Sequence, residues 1–112
     1  MELREVYKVL KDNFKGKAVQ CSTTTRCSYR NEEGQKCVIG CFLPDDIIDS
    51  LLVDNEYINE AELPLSAWSC LPSQDLKLLR KWQDFHDNLD IAYTVKEQVN
   101  ALFNYWVMLN KA

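Results

Sequence analysis

The sequence contains a single histidine, His86, only three glycines, and no apolar run approaching the ~18–20 residues that cross a bilayer. One imidazole leaves nothing from which to build a multi-histidine metal shell. Gly16, Gly34 and Gly40 are dispersed, so they do not form a loop of the kind that cradles phosphate. No C-x-x-C pair is present, which removes the usual knuckle of a zinc site and the usual redox dithiol. The amino terminus, Met1-Glu2-Leu3-Arg4-Glu5, carries acids where a secretory signal is apolar. These absences favour a cytoplasmic protein with no membrane association.

A basic stripe is also missing. The net charge is −4, and the densest run of lysines, Lys8, Lys11, Lys15 and Lys17, is diluted by Glu5 and Asp12. That run reads as the solvated side of a helix, which disfavours nucleic acid as a partner. The five cysteines, Cys21, Cys27, Cys37, Cys41 and Cys70, are odd in number. Without a signal peptide they point to reduced thiols rather than a disulfide framework.

What is present suffices for one core. The chain has 112 residues, of which 46% are hydrophobic. This is the size of a single domain spanning 1–112, burying roughly two-thirds of the surface its unfolded chain exposes. Leu3, Val6, Tyr7, Leu10 and Phe14 repeat at three- and four-residue spacing, so residues 2–14 are predicted helical, with Gly16 as the C-terminal cap. Thr23-Thr24-Thr25 and the alternation of Cys27 and Tyr29 with polar neighbours predict a strand. Asn31-Glu32-Glu33-Gly34 then reads as a turn, and Lys36–Gly40 as the return strand. The expectation is an antiparallel β-hairpin over about 23–40.

Pro44-Asp45-Asp46 opens a predicted short helix, 45–53, with Ile47, Ile48, Leu51 and Leu52 on its apolar face. Residues 54–72 are irregular, broken by Pro64 and Pro72 but expected to pack through Leu63, Leu65, Trp68 and Leu71. Ser73 is the expected N-cap of a helix 73–90 carrying Leu78, Leu79, Trp82, Phe85, His86 and Leu89. Thr94 and Glu97 form a capping-box pair for a last helix, 94–110, faced by Val95, Val99, Leu102, Phe103 and Trp106. The short link between these two helices predicts a helical hairpin. The predicted fold class is therefore α+β: a small helix-rich domain around one β-hairpin.

Three constellations bear on chemistry. Cys27 lies across the predicted turn from Cys37 and Cys41, so the three thiols can meet at one end of the hairpin, with His86, Cys21 or Cys70 as a fourth zinc ligand. The plainer reading is that cysteines fill space in the core. His86 beside Asp87 offers an acid–base pair, or a partner for a cysteine nucleophile. Its plainer reading is a core-flanking imidazole bonded to a neighbouring element. Trp68, Trp82, Phe85, Phe103, Tyr105 and Trp106 read mainly as core, and any left exposed would anchor a protein contact.

Cys27-Ser28-Tyr29-Arg30, Gly34-Gln35-Lys36-Cys37-Val38-Ile39-Gly40, Phe42-Leu43-Pro44-Asp45 and the later Gln83-Asp84-Phe85-His86-Asp87 together resemble a pattern in small uncharacterised proteins of tailed bacteriophages and prophages. The resemblance spans about 27–87. It implies the cytoplasm of a bacterial host, and no catalytic assignment. The leading functional expectation is a non-catalytic accessory protein that binds and inhibits or modulates a bacterial host or antiviral-defence protein. The alternatives are a structural zinc-binding regulator using Cys27, Cys37, Cys41 and His86, and a minor enzyme using His86 with a cysteine or aspartate.

Overall fold

A computed structural model describes residues 1–17, 29–31, 33–54 and 56–111. The first amphipathic repeat becomes helix α1, Leu3–Asn13. Val6, Leu10 and Phe14 are buried, whereas Leu3 at the outer end is exposed. The Phe14 N–H closes the helix by donating to Leu10 O at 2.9 Å. Gly16 follows at a φ of +108°, a backbone state that side chains with a Cβ rarely adopt.

The hairpin predicted over 23–40 takes a different course. Residues 23–28 lie outside the described ones. Arg30 and Lys36 form a single antiparallel bridge pair around the turn. Beyond Cys37 the return leg curls instead of extending: Cys41 N donates to Cys37 O at 3.0 Å, and Gly40–Phe42 form a 3₁₀ turn. The physical reason lies in burial. A strand with one face on the core buries alternate residues, but every residue from Cys37 to Leu43 is buried. A curled segment turns all of them inward.

Helix α2, Asp45–Ser50, is shorter than the predicted 45–53. Ser50 Oγ donates back to Ile47 O at 2.6 Å, and Leu51 turns fully into the core. The next residues leave the helix and form strand β1, Leu52–Val53, which pairs antiparallel with β2, Glu56–Tyr57. The register sets Leu52 opposite Tyr57 and Val53 opposite Glu56. Asp54, at a φ of +51°, makes the reversal; aspartate tolerates this left-handed state better than most residues. The antiparallel strand pair among the described residues therefore falls on 52–57.

Helix α3, Leu65–Trp68, is one turn long. Leu63, Ala67 and Leu71 pack inward, but Leu65 projects outward at 82% exposure. Helix α4 covers Leu76–Asp87. Its cap is Asp75 rather than Ser73: the Asp75 carboxylate accepts from Lys77 N at 3.0 Å and Leu78 N at 3.4 Å. Ser73 Oγ instead accepts from Asp75 N at 3.1 Å. A carboxylate answers the positive end of the helix more strongly than a hydroxyl.

Helix α5, Val95–Lys111, starts at the predicted capping box. Thr94 N donates to Glu97 Oε1 at 2.9 Å, and Glu97 N donates to Thr94 Oγ1 at 3.2 Å. Helices α4 and α5 close on each other through aromatic rings. Trp82 lies 4.3 Å from Trp106, and Phe85 stacks on Tyr105 at 4.2 Å. Across α5, the Tyr7 ring of α1 meets Phe103 edge-on at 5.1 Å. The fold is thus a small α+β domain of five α-helices and one two-stranded sheet among the described residues. No helix among them is long and apolar enough to cross a membrane.

Candidate functional site

The Tyr29–Gly40 segment is a built feature. Asn31 holds the turn, its Oδ1 accepting from Glu33 N at 3.0 Å and Gln35 N at 2.9 Å. Gly34 supplies the positive φ, +82°. Gly40 serves close approach instead, since a Cβ there would stand 2.0 Å from the carbonyl oxygen of Tyr29. That oxygen also accepts from Cys37 N at 3.3 Å. The Tyr29 hydroxyl donates to Ile58 O at 2.8 Å, which ties the turn to the segment after β2.

Arg30 and Lys36 fasten the same turn to α2. Arg30 donates to Asp45 at 3.1 Å and to Asp49, and Lys36 Nζ lies 3.4 Å from Asp45. The hydrogen bond to Asp49 is the main cause that raises the Arg30 guanidinium above its ordinary value. Arg30's hydrogen bond, then Lys36, hold the Asp45 carboxyl below its ordinary range.

Cys37 and Cys41 stand one turn apart on the curled return leg, both buried. Burial pushes the Cys37 thiol up to about 12, partly opposed by backbone N–H groups that include Gly40, which donates to Cys37 Sγ at 3.2 Å. Burial likewise raises Cys41. Both are protonated space-filling thiols at neutral pH, not the thiolates a nucleophile requires. Cys70 is half-buried and donates to Ser66 O at 3.4 Å. Cys21 and Cys27 lie outside the described residues. Among the described residues, no three His, Cys, Asp or Glu side chains converge as a metal would require.

His86 is buried on α4. Among the described residues its hydrogen-bond contacts stay within its own helix. Its Nδ1 lies 3.1 Å from Asp87 Oδ1, and the ring meets Phe14 edge-on at 5.8 Å. An ionised carboxylate only accepts, so the contact calls for a proton on Nδ1. Gln83 Nε2 donates to the same Asp87 oxygen at 3.1 Å. This leaves His86 Nε2 and Gln83 Oε1 buried without a partner among the described residues. Such atoms are commonly served by a bound water. Lys17 closes the end of this helix, donating through Nζ to the carbonyls of Asp87 and Leu89, the latter at 3.2 Å.

Sequence reasoning passed over the link between α4 and α5. Ile91, Tyr93 and Val95 are 53%, 46% and 42% exposed there, which takes Val95 off the inward face that periodicity assigns it. Gln98 fixes the base of the link: its buried amide accepts from Lys17 N at 3.0 Å and donates to Tyr93 O at 2.9 Å. The available signal was compositional, since a tight interhelix connection normally carries polar turn residues. Compared with protein-family models, curated proteins and solved structures, the chain matches none of them.

Proposed function

We propose that the protein is a non-catalytic binding protein of bacteriophage type, which engages a bacterial protein in the host cytoplasm and inhibits or modulates it. The observation that carries the reading is the exposed α4–α5 link. Ile91, Tyr93 and Val95 place three large apolar side chains in solvent within five residues. Exposed aromatic and aliphatic groups held on an ordered base are the usual anchors of protein contacts. The base here is ordered by Gln98, Lys17 and the Thr94–Glu97 capping box. The resemblance of residues 27–45 and 83–87 to small phage proteins supplies the class of partner.

The test is affinity capture from host lysate with tagged wild-type protein and an Ile91→Asp/Tyr93→Asp variant. A single host protein captured stoichiometrically by the wild type and lost from the folded variant is the expected result. Capture of no stoichiometric partner by the wild type would remove the reading.

A further inference from the structure

Helix α5 differs from the other two long helices in where its charge lies. Along Leu3–Asn13, α1 carries Arg4, Glu5, Lys8, Lys11 and Asp12. Along Leu76–Asp87, α4 carries Lys77, Arg80, Lys81, Asp84 and Asp87. In α5 the thirteen residues from Gln98 to Asn110 hold no charged side chain. A helix uncharged all round is normally covered all round, yet α5 packs chiefly against α1 and α4. The Tyr7–Phe103 contact marks one flank and the Phe85–Tyr105 stack the other. Between these flanks Glu97, Ala101, Asn104, Met108 and Lys111 recur at steps of four and three, so they share one outward stripe. Asn104 and Met108 are exposed, Met108 at 57%. Ala101 is half-buried and too small to hold a second helix away.

The stripe complements itself when reversed. Glu97 and Lys111 each stand seven residues from Asn104, about 10 Å along the axis. A second α5 laid antiparallel, with a two-fold axis at Asn104, sets each Glu97 opposite the other copy's Lys111. A parallel pairing would set like charges together. Glu97 accepts from Thr94 N through one oxygen, and neither it nor Lys111 joins an ion pair among the described residues. A lone asparagine at the centre of such a stripe fixes register and pair number, because the same amide of the other copy can satisfy it.

We propose that the outward stripe of α5 is a homodimer surface, on which a second copy docks its own α5 antiparallel, Asn104 facing Asn104 and Glu97 facing Lys111. This surface is separate from the α4–α5 link and independent of the partner reading above. The helix offers a strip of about 25 by 10 Å, well under the ~800 Å² a side of a standard interface. The pair is therefore reversible and forms at high micromolar concentration.

Sedimentation velocity on the full chain from about 10 μM to 1 mM reads the association, with amide NMR over the same range. The wild type is expected to move from monomer to dimer, with concentration-dependent shifts centred on 97–111. Lys111→Glu, which faces Glu97 with a like charge, should weaken the dimer by about tenfold. Lys77→Glu, the same change in net charge on α4, should leave it unchanged. Asn104→Lys sets two ammonium groups face to face at the axis and should abolish it; circular dichroism checks that each variant is folded. A wild type still monomeric at about 1 mM, equal weakening by Lys77→Glu, or shifts centred on 91–95 would overturn the surface. A host protein captured by a monomeric wild type and lost from Asn104→Lys would give the stripe to a different partner and likewise overturn the homodimer. A dimer found with no captured host protein leaves this surface standing while the partner reading falls.

Discussion

The indole nitrogen of Trp82 donates to the carbonyl oxygen of Leu102 at 2.9 Å, pinning α4 to the middle of α5. Trp82 is fully buried against Phe42 and Trp106. Trp82→Ala should therefore destabilise the domain by about 3–5 kcal/mol. Trp82→Phe should lose the bond, worth about 1 kcal/mol, plus part of the packing. Urea unfolding of the two variants measures both.

Gly40 is predicted to be the least tolerant position of the turn. Gly40→Ala drives a methyl into the Tyr29 carbonyl, so it should cost at least about 3 kcal/mol or prevent folding. Gly34→Ala meets no atom within 4 Å and strains only φ, so its loss should stay near about 1 kcal/mol. Thermal melts of the pair distinguish close approach from backbone strain.

The thiols give a pH dependence at the alkaline end. Cys37 keeps its proton up to about 12, against an ordinary value of 9.0, and Cys41 is raised as well. A raised folded-state value gives stability that is fully present below the ordinary value of 9.0. It is lost as pH climbs toward about 12, because the unfolded chain releases protons first. Cys37→Ala should flatten that decline by up to about 1.4 kcal/mol per pH unit. Denaturant titrations between about pH 8 and 11 check this. In native protein, alkylation should reach Cys70 before Cys37 or Cys41, as peptide mass spectrometry would show.

At the acidic end the sign reverses. Asp45 titrates below its ordinary range because of Arg30 and then Lys36, so its contribution is present at neutral pH and lost as pH falls through the folded-state value. Carbon-detected NMR should show the Asp45 carboxyl rising toward, but not reaching, the ordinary range in Arg30→Gln, because Lys36 still faces it. No change in that variant would refute the assignment.

The capping box yields a local test. Thr94→Ala should destabilise α5 by about 0.5–2 kcal/mol. It should raise the Glu97 carboxyl only part of the way toward its ordinary value, because the backbone N–H of residue 94, the larger of the two groups that hold it down, survives the substitution. Amide exchange through the first turn of α5 would report the loss.

How much of the fold is legible in the sequence depends on whether a signal is local. The helices of the C-terminal half follow from periodicity, and Thr94–Glu97 from a motif whose geometry is set within four residues. A strand over 36–40 is the wrong inference because Val38 and Ile39 favour strands locally, while burial of the whole run Cys37–Leu43 is a tertiary demand. The strand pair at 52–57 depends on α2 ending at Ser50, which a sequence with apolar Leu51 and Leu52 does not announce. At the candidate site the burial of Cys37, Cys41 and His86 is within reach of residue type and periodicity. The Gln83 Oε1 atom, buried without a partner among the described residues, is not, because it depends on how the amide is turned when its Nε2 donates to Asp87.

Gly40 also constrains how this gene can drift. Every base change that replaces a glycine codon with another amino acid introduces a Cβ, and at Gly40 a Cβ falls 2.0 Å from a backbone oxygen. Side-chain clashes can be relieved by trimming the neighbour, but a carbonyl cannot be trimmed. The lineage thus has no single-step exit from glycine at this codon unless the path of the main chain at Tyr29 moves first.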